Sequence, residues 1–415
     1  MFSERTNWTL SQNRLAQAIE QVRASGAKLF DLTVSNPTRI GLSYDSQVIL
    51  RSFSSPESLD YDPQPQGLPA ARQAVSAYYY THVASVDPQR IILTSSTSEG
   101  YSFVFRLLCN AGDEILVPKP SYPLFEFLAD LQDVRLAPYS LLYDHGWQID
   151  FTMLQKAVTA RTRGLVVVHP NNPTGSFVTQ GERSPLNGFC REHNLSLIVD
   201  EVFLDYSLDA AAIGMSHVGT AAPGRTVERS STALPAAQKS CGTFAANDDV
   251  LTFTLSGLSK ISALPQMKVA WIVTSGPEAE VAAAMARLEV IADTYLSMNA
   301  PAQWALPTLL DQRKTIQPQL IERARRNLAE LDRQLAQHRT CQRLEVRGGW
   351  NAILRVPVTQ SDEELAIALL REKRVLVHPG HFYDFASDGY LILSLICLES
   401  DFAEGIARLL SHVGN

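Results

Sequence analysis

The chain has 415 residues, 45% hydrophobic and 19% charged, with a formal net charge of −7 and five cysteines. That supports a large core in two domains and argues against nucleic acid or an anionic membrane as the main partner. No apolar run spans a membrane, residues 1–14 lack a signal-peptide core, and Cys109, Cys190, Cys241, Cys341 and Cys397 form no CxxC pair, so free thiols in a reducing cytoplasm are expected rather than disulfides or zinc.

Residues 11–25 put Leu15, Ala18, Ile19 and Val22 on one helical face. Leu29–Val34 reads as a strand, ended by the turn signal Ser35-Asn36-Pro37-Thr38. Tyr61 lies in a loop with Pro63, Pro65, Gly67 and Pro69 that opens a helix through Tyr80. Strands and helices then alternate. Strands are expected at 90–94, 114–117, 133–137, 164–168 and 195–199, and helices at 99–109, 122–130, 151–160 and 182–193. This alternation predicts an α/β fold with a mainly parallel sheet covered by helices on both faces. Ligands of such sheets bind beyond the carboxyl ends of the strands. Residues 207–249, rich in Ala, Ser, Thr and Gly, read as an inserted surface segment. Strands at 250–254 and 268–273 resume the sheet, and 277–297 is a long helix. A helix at 317–337 leads into a smaller α/β unit. The expected division is an N-terminal segment, 1–45, associated with the small domain, a large domain at 46–297 and a small domain at 298–415.

Five segments carry chemistry, and each has a plainer alternative. Lys260, in Leu255-Ser256-Gly257-Leu258-Ser259-Lys260, directly follows a buried strand. Desolvation there lowers an amine's pKa and suits it to attack an aldehyde; the alternative is a surface lysine in a Ser/Gly loop. Thr94-Ser95-Ser96-Thr97-Ser98-Glu99 is a strand end running into a helix start, which is an anion site or an ordinary N-cap. Tyr122, between Pro120 and Pro123, can stack on a flat ring or simply pack. Asn172, in Asn171-Asn172-Pro173-Thr174-Gly175, offers an amide donor beyond a strand end. Asp200 ends the strand Leu197–Val199 and can pair with a protonated ring nitrogen or cap a helix. Together they supply everything that pyridoxal 5′-phosphate requires: a phosphate cradle, a ring stacker, an oxygen ligand, a nitrogen partner and an imine-forming lysine.

In these segments the chain resembles the fold-type I pyridoxal-phosphate enzymes, in particular the class I/II aminotransferases. NNPTG at 171–175, Asp200-Glu201 and Ser259-Lys260 followed by Val269-Ala270-Trp271 carry the likeness. The resemblance implies that Lys260 bears the cofactor as an imine and then moves protons. It implies that Asp200 holds the pyridine nitrogen protonated, Asn172 binds the ring oxygen and Tyr122 stacks on the ring. Thr97, Ser98, Ser259 and Lys268 would bind the phosphate, with Tyr61 reaching it across the interface of a homodimer with shared sites. Asn36, Arg39, Trp350 and His381 would contact substrate.

Four positions depart from the family pattern. Phe203 stands where a tyrosine is usual, Lys268 where an arginine is usual and Gly257 where a serine is common. Ile392 stands where an arginine grips the substrate carboxylate. Either another residue supplies the cation, with Arg39 preferred ahead of Arg347, His381 and Lys268, or the substrate is not an ordinary α-amino acid. The expected activity is transamination between an amino acid and a 2-oxo acid in the cytoplasm. A β-lyase or decarboxylase of the same fold, and a non-catalytic regulatory module, are the alternatives.

Overall fold

The computed structural model describes residues 1–123, 125–209 and 239–414. After a helix at Arg14–Ala24 and a two-residue strand, Phe30–Asp31 (β1), the chain builds a sheet of eight strands. They are Ile91–Thr94 (β2), Glu114–Lys119 (β3), Arg135–Tyr143 (β4), Trp147–Ile149 (β5), Thr162–Val168 (β6), Ser196–Asp200 (β7), Thr252–Gly257 (β8) and Ala270–Ser275 (β9). The spatial order is β2-β9-β8-β7-β6-β3-β4-β5. Pairings β4–β3–β6–β7–β8 are parallel; β9 runs against both neighbours and β5 runs against β4. The mixed, mainly parallel sheet expected from the alternation is what forms.

The two sheet faces follow from the period of two along a strand. Val166, Val168, Ile198, Phe253 and Leu255 point to one side, onto the helices Thr97–Leu108 and Glu278–Tyr295. Leu165, Val167, Leu197 and Val199 point to the other, where Leu186 and Phe189 of the helix Gln180–His193 cover them. Burial on both faces is why β6 to β8 read as nearly continuous apolar runs. The helices Pro69–Tyr80 and Ala300–Asp311 pack together against β2 and β9.

The second sheet contains Gln342–Arg343 (β10), Asn351–Arg355 (β11), His378–Pro379 (β13) and Tyr390–Ser394 (β14), all antiparallel, in the order β10-β11-β14-β13. Val375–Leu376 (β12) pairs in parallel with β1. Leu15, Ala18, Val22, Phe30 and Leu32 of the N-terminal segment share one core with β11, β12, β14 and the helix Glu399–Val413.

Several elements differ from expectation. β4 runs six residues beyond the expected end, and the short β5 hairpin partner was not expected. The helix Arg313–Leu335 begins four residues before the expected start at Gln317, with Pro318 inside it. The reading of 207–249 as a surface insertion is corrected at its C-terminal end. Thr243, Phe244 and Asn247 are buried, and the Thr243 hydroxyl and Phe244 N–H both donate to Glu201 at 2.6 Å. Polar composition misled there because the polar groups are paired inside the core. The rest of that segment, 210–238, lies outside the described residues.

Candidate active site

β2, β6, β7 and β8 point the same way, so Thr94, Val168, Asp200 and Gly257 end on one edge of the large sheet. The chain leaves β8 into a single helical turn, Leu258–Ile261, which carries Lys260. Two tyrosine hydroxyls pin that turn. Tyr206 donates to the Lys260 carbonyl at 2.6 Å, and Tyr44 donates to the Ala263 carbonyl at 2.8 Å. Lys260 Nζ lies 4.6 Å from the Trp350 ring centre and 5.4 Å from that of Phe203. Burial lowers its pKa to about 8, opposed by the Asp200 carboxylate. At pH 7 about a tenth of the amine is then neutral.

Asp200 and Glu201 diverge as neighbours on a strand must. Glu201 turns into the core onto Thr243 and Phe244. Asp200 accepts from the Val202 N–H and from the Tyr101 hydroxyl, both at 3.1 Å. Burial raises its pKa to about 6 against those bonds and the nearby Lys260 charge. The carboxylate form therefore prevails at neutral pH.

Asn172 sits on a tight turn after β6. Asn171 N–H donates to the Ser176 carbonyl, and Gly175 N–H donates to the Asn171 carbonyl, both at 2.8 Å. Gly175 has φ +67°, and a Cβ there would lie 2.5 Å from the Gly348 carbonyl oxygen, so only glycine closes this turn. The Asn172 Oδ1 accepts from Asn351 Nδ2 at 2.7 Å, across to the first residue of β11.

At the end of β2 the helix Thr97–Leu108 begins. Its N-cap Ser96 accepts from the Glu99 N–H, and Glu99 in turn takes the Ser95 N–H at 2.7 Å. The N–H groups of Thr97 and Ser98 occupy the first helical positions, where no intrahelical carbonyl is within reach. Register pairs Thr94 with Ala270, so Lys268, exposed and left-handed at φ 54°, falls beyond the strand end where this helix starts. Ser259 is partly buried beside Lys260. Ser256 is buried and gives its hydroxyl to the Glu201 carbonyl.

The remaining expected residues lie further out. Asn36 Oδ1 holds the turn Pro37–Arg39 through Thr38, and Ile40 packs with Phe203 and Trp350. Arg39 is exposed on that turn. Trp350 is buried in the aromatic group with Phe203 and Tyr206. Tyr122 is half-exposed in a cleft shared with Phe125 and Asp384. His381 is exposed, its ring edge-on to Phe382. Tyr61 is 83% exposed in its loop. Among the described residues no hydrogen bond or ion pair joins Tyr61, Tyr122, Lys268 or His381 to Lys260.

Residues 46–395 match the family of aminotransferases of class I and II. The chain belongs to that family. It is 24% identical over 94% of its length to the glutamate-pyruvate aminotransferase AlaA of Haemophilus influenzae, covering 91% of that protein. It is 25% identical over 95% of its length to an alanine aminotransferase of Mycobacterium tuberculosis, covering 87% of it. Among solved structures, an alanine aminotransferase from Pyrococcus furiosus superposes with a TM-score of 0.81 at 20% identity, over 100% of this chain and 99% of that one. A single mutant of a Thermus thermophilus aspartate aminotransferase gives 0.80 at 21% identity, over 99% of both chains. The fold is fold type I, and the protein is a pyridoxal-phosphate-dependent aminotransferase.

The departures have physical reasons at two positions. A Cβ on Gly257 would lie 2.8 Å from the Ala270 Cβ and 2.9 Å from the Val269 carbonyl oxygen, so the close approach of β8 to β9 excludes a serine. Ile392 is buried opposite Ile353, in a cluster with Leu344 and Tyr383, where a cation would be desolvated. Arg347, one suggested replacement, is paired with Asp209 at 3.1 Å. Sequence reasoning missed Tyr101. It stands one helical turn after Thr97, and that spacing was the available signal.

Proposed function

We propose that this aminotransferase works through Lys260, Asp200 and Asn172 as one unit at the strand ends. The lowered pKa of the Lys260 amine near the Asp200 carboxylate carries the reading, because a desolvated, partly neutral lysine close to a desolvated acid is what imine chemistry needs. When bound, pyridoxal phosphate supplies an aldehyde that condenses with primary amines and a ring that draws electron density from the attached carbon. Asp200, held by Tyr101 and Val202, keeps a proton on the ring nitrogen. Asn172 donates to the ring oxygen. The N–H groups of Thr97 and Ser98, with Ser259 and Lys268, hold the phosphate. Lys260 Nζ would take the proton from the substrate α-carbon and carry it to the carbon on the far side of the substrate nitrogen. Trp350 and Phe203 wall the amine from water.

The substrate carboxylate falls to Arg39 in this reading. It forms no ion pair among the described residues, and its turn is packed onto the site through Ile40. The relatives named for glutamate-pyruvate and alanine transfer make glutamate with pyruvate the first pair to test. The exposed Tyr61, with exposed Leu59 and Leu296 nearby in sequence or crevice, supports a homodimer in which Tyr61 serves the partner's phosphate site. A solution mass of twice the chain's checks this. Five free thiols suit the cytoplasm.

A panel of amino acids mixed with cofactor-loaded protein tests the activity. Conversion to pyridoxamine phosphate, reversed by a 2-oxo acid, is expected. Release of ammonia and a 2-oxo acid without an acceptor would instead mark a lyase. In the same assay Arg39→Gln is expected to raise KM for the amino acid at least tenfold with cofactor affinity unchanged, and an unchanged KM removes Arg39 from the site.

A further inference from the structure

Among the described residues, the bond between Asn351 and Asn172 joins the second sheet to the strand-end residues of the first by a direct amide–amide contact. Asn351 opens β11, in register with Ser394 of β14. Its place is fixed on both sides. Trp350 accepts from the Leu395 N–H at 2.7 Å, and Gly349 N–H donates to the Tyr206 carbonyl at 2.9 Å. The pair meets in a narrow crevice lined also by Asn171, Phe203, Gly348 and Trp350. Two buried N–H groups of this lining, Trp350 Nε1 and Asn171 Nδ2, have no hydrogen-bond partner among the described residues. The lining is thus rich in donors facing no acceptor.

A side-chain amide has one accepting and one donating end, and rotation by half a turn exchanges them. Asn172 serves a ring oxygen only if its Nδ2 faces that oxygen, which leaves Oδ1 to be satisfied from the other side. At position 392, where an arginine would be a donor on the same sheet, the residue is the buried Ile392. Asn351 Nδ2 is the group that reaches Asn172 Oδ1.

We propose that Asn351 is a positioning residue that fixes the orientation of the Asn172 amide, so that its Nδ2 is presented to the cofactor's ring oxygen. This rests on the cofactor reading given above. Asn351 itself does not touch the reacting atoms. It couples the small sheet's position to the electronics of the bound ring, because a donor at the ring oxygen stabilises the oxygen's negative charge and weakens that oxygen's hold on a neighbouring proton.

Two substitutions separate orientation from mere packing. Asn351→Asp keeps the shape but only accepts, so it draws Asn172 Nδ2 toward itself and turns Oδ1 onto the ring oxygen. Asn351→Ala leaves Asn172 free to choose. Two readouts are taken on the loaded protein, the dissociation constant for pyridoxal phosphate and the pH midpoint of the bound cofactor's visible absorption change. Asn351→Asp is expected to weaken binding about tenfold and to raise the midpoint, and Asn351→Ala to weaken it about threefold. In an Asn172→Ala background the two substitutions should become equal. Melting of the cofactor-free proteins checks that each variant folds. If Ala is as harmful as Asp, if neither moves the midpoint, or if the difference survives without Asn172, the proposal is wrong. If the natural protein takes up no pyridoxal phosphate, the cofactor reading itself fails and this inference falls with it.

Discussion

At the scale of single residues the site is a balance of burial against charge. An unfolded lysine titrates near 10.5, whereas Lys260 titrates at about 8 in the folded chain. A depressed folded pKa means stability that is present above the unfolded value and lost as pH falls through the folded one. Cofactor-free protein should therefore carry a penalty at pH 7 that disappears above about pH 10.5. Lys260→Met removes the desolvated amine, and its unfolding free energy at pH 7 should exceed the natural protein's by roughly 3 kcal/mol. The gap should close as pH approaches 10.5. Denaturant unfolding of both proteins at pH 7 and pH 10 measures it, and a gap that does not shrink contradicts the account. Lys260, Asp200 and Asn172 were conspicuous in the sequence because each lies at the end of a buried strand or within four residues of it, where polar side chains contrast with apolar neighbours. Tyr101 was not, because a tyrosine inside an apolar helical face looks like core, and most of its surface is core.

At the scale of elements, strand ends and turns do the positioning. Two glycines show how tightly. Gly175 closes the Asn172 turn against Gly348, and Gly257 lets β8 run against β9 before the Lys260 turn. Restoring the serine common in the family at 257 should therefore harm this protein. Gly257→Ser is expected to destabilise it by roughly 1–3 kcal/mol and to weaken, not strengthen, pyridoxal phosphate binding. Thermal melts with and without cofactor decide this; a stable variant with tighter binding would contradict it. The parallel sheet was legible because β6 to β8 are apolar on both faces. The burial of 243–247 was not, because a buried polar segment differs from a surface one only in its partners. Those partners, Glu201, Asn187 and Thr252, are distant in sequence or unremarkable in composition.

At the scale of the molecule, two sheets meet over the strand ends. The larger supplies Lys260, Asp200 and Asn172, and the smaller supplies Trp350 and Asn351, the second of which bonds to Asn172. Leu15, Ala18, Val22, Phe30 and Leu32 of the N-terminal segment pack in one core with β11, β12 and β14 of the smaller sheet's layer. The contact between the sheets was not legible, since no periodicity reports which loop faces which across a cleft. The arrangement as a whole makes one claim: a single amine, among the lysines of this chain, is desolvated at the strand ends and carries the cofactor. Borohydride reduction of the protein loaded with pyridoxal phosphate, followed by peptide mass mapping, tests it most directly. The account predicts one modified peptide, bearing the phosphopyridoxyl mass on Lys260, and none from Lys260→Ala. Modification on Lys268 or another lysine, with Lys260 unmodified, would contradict it.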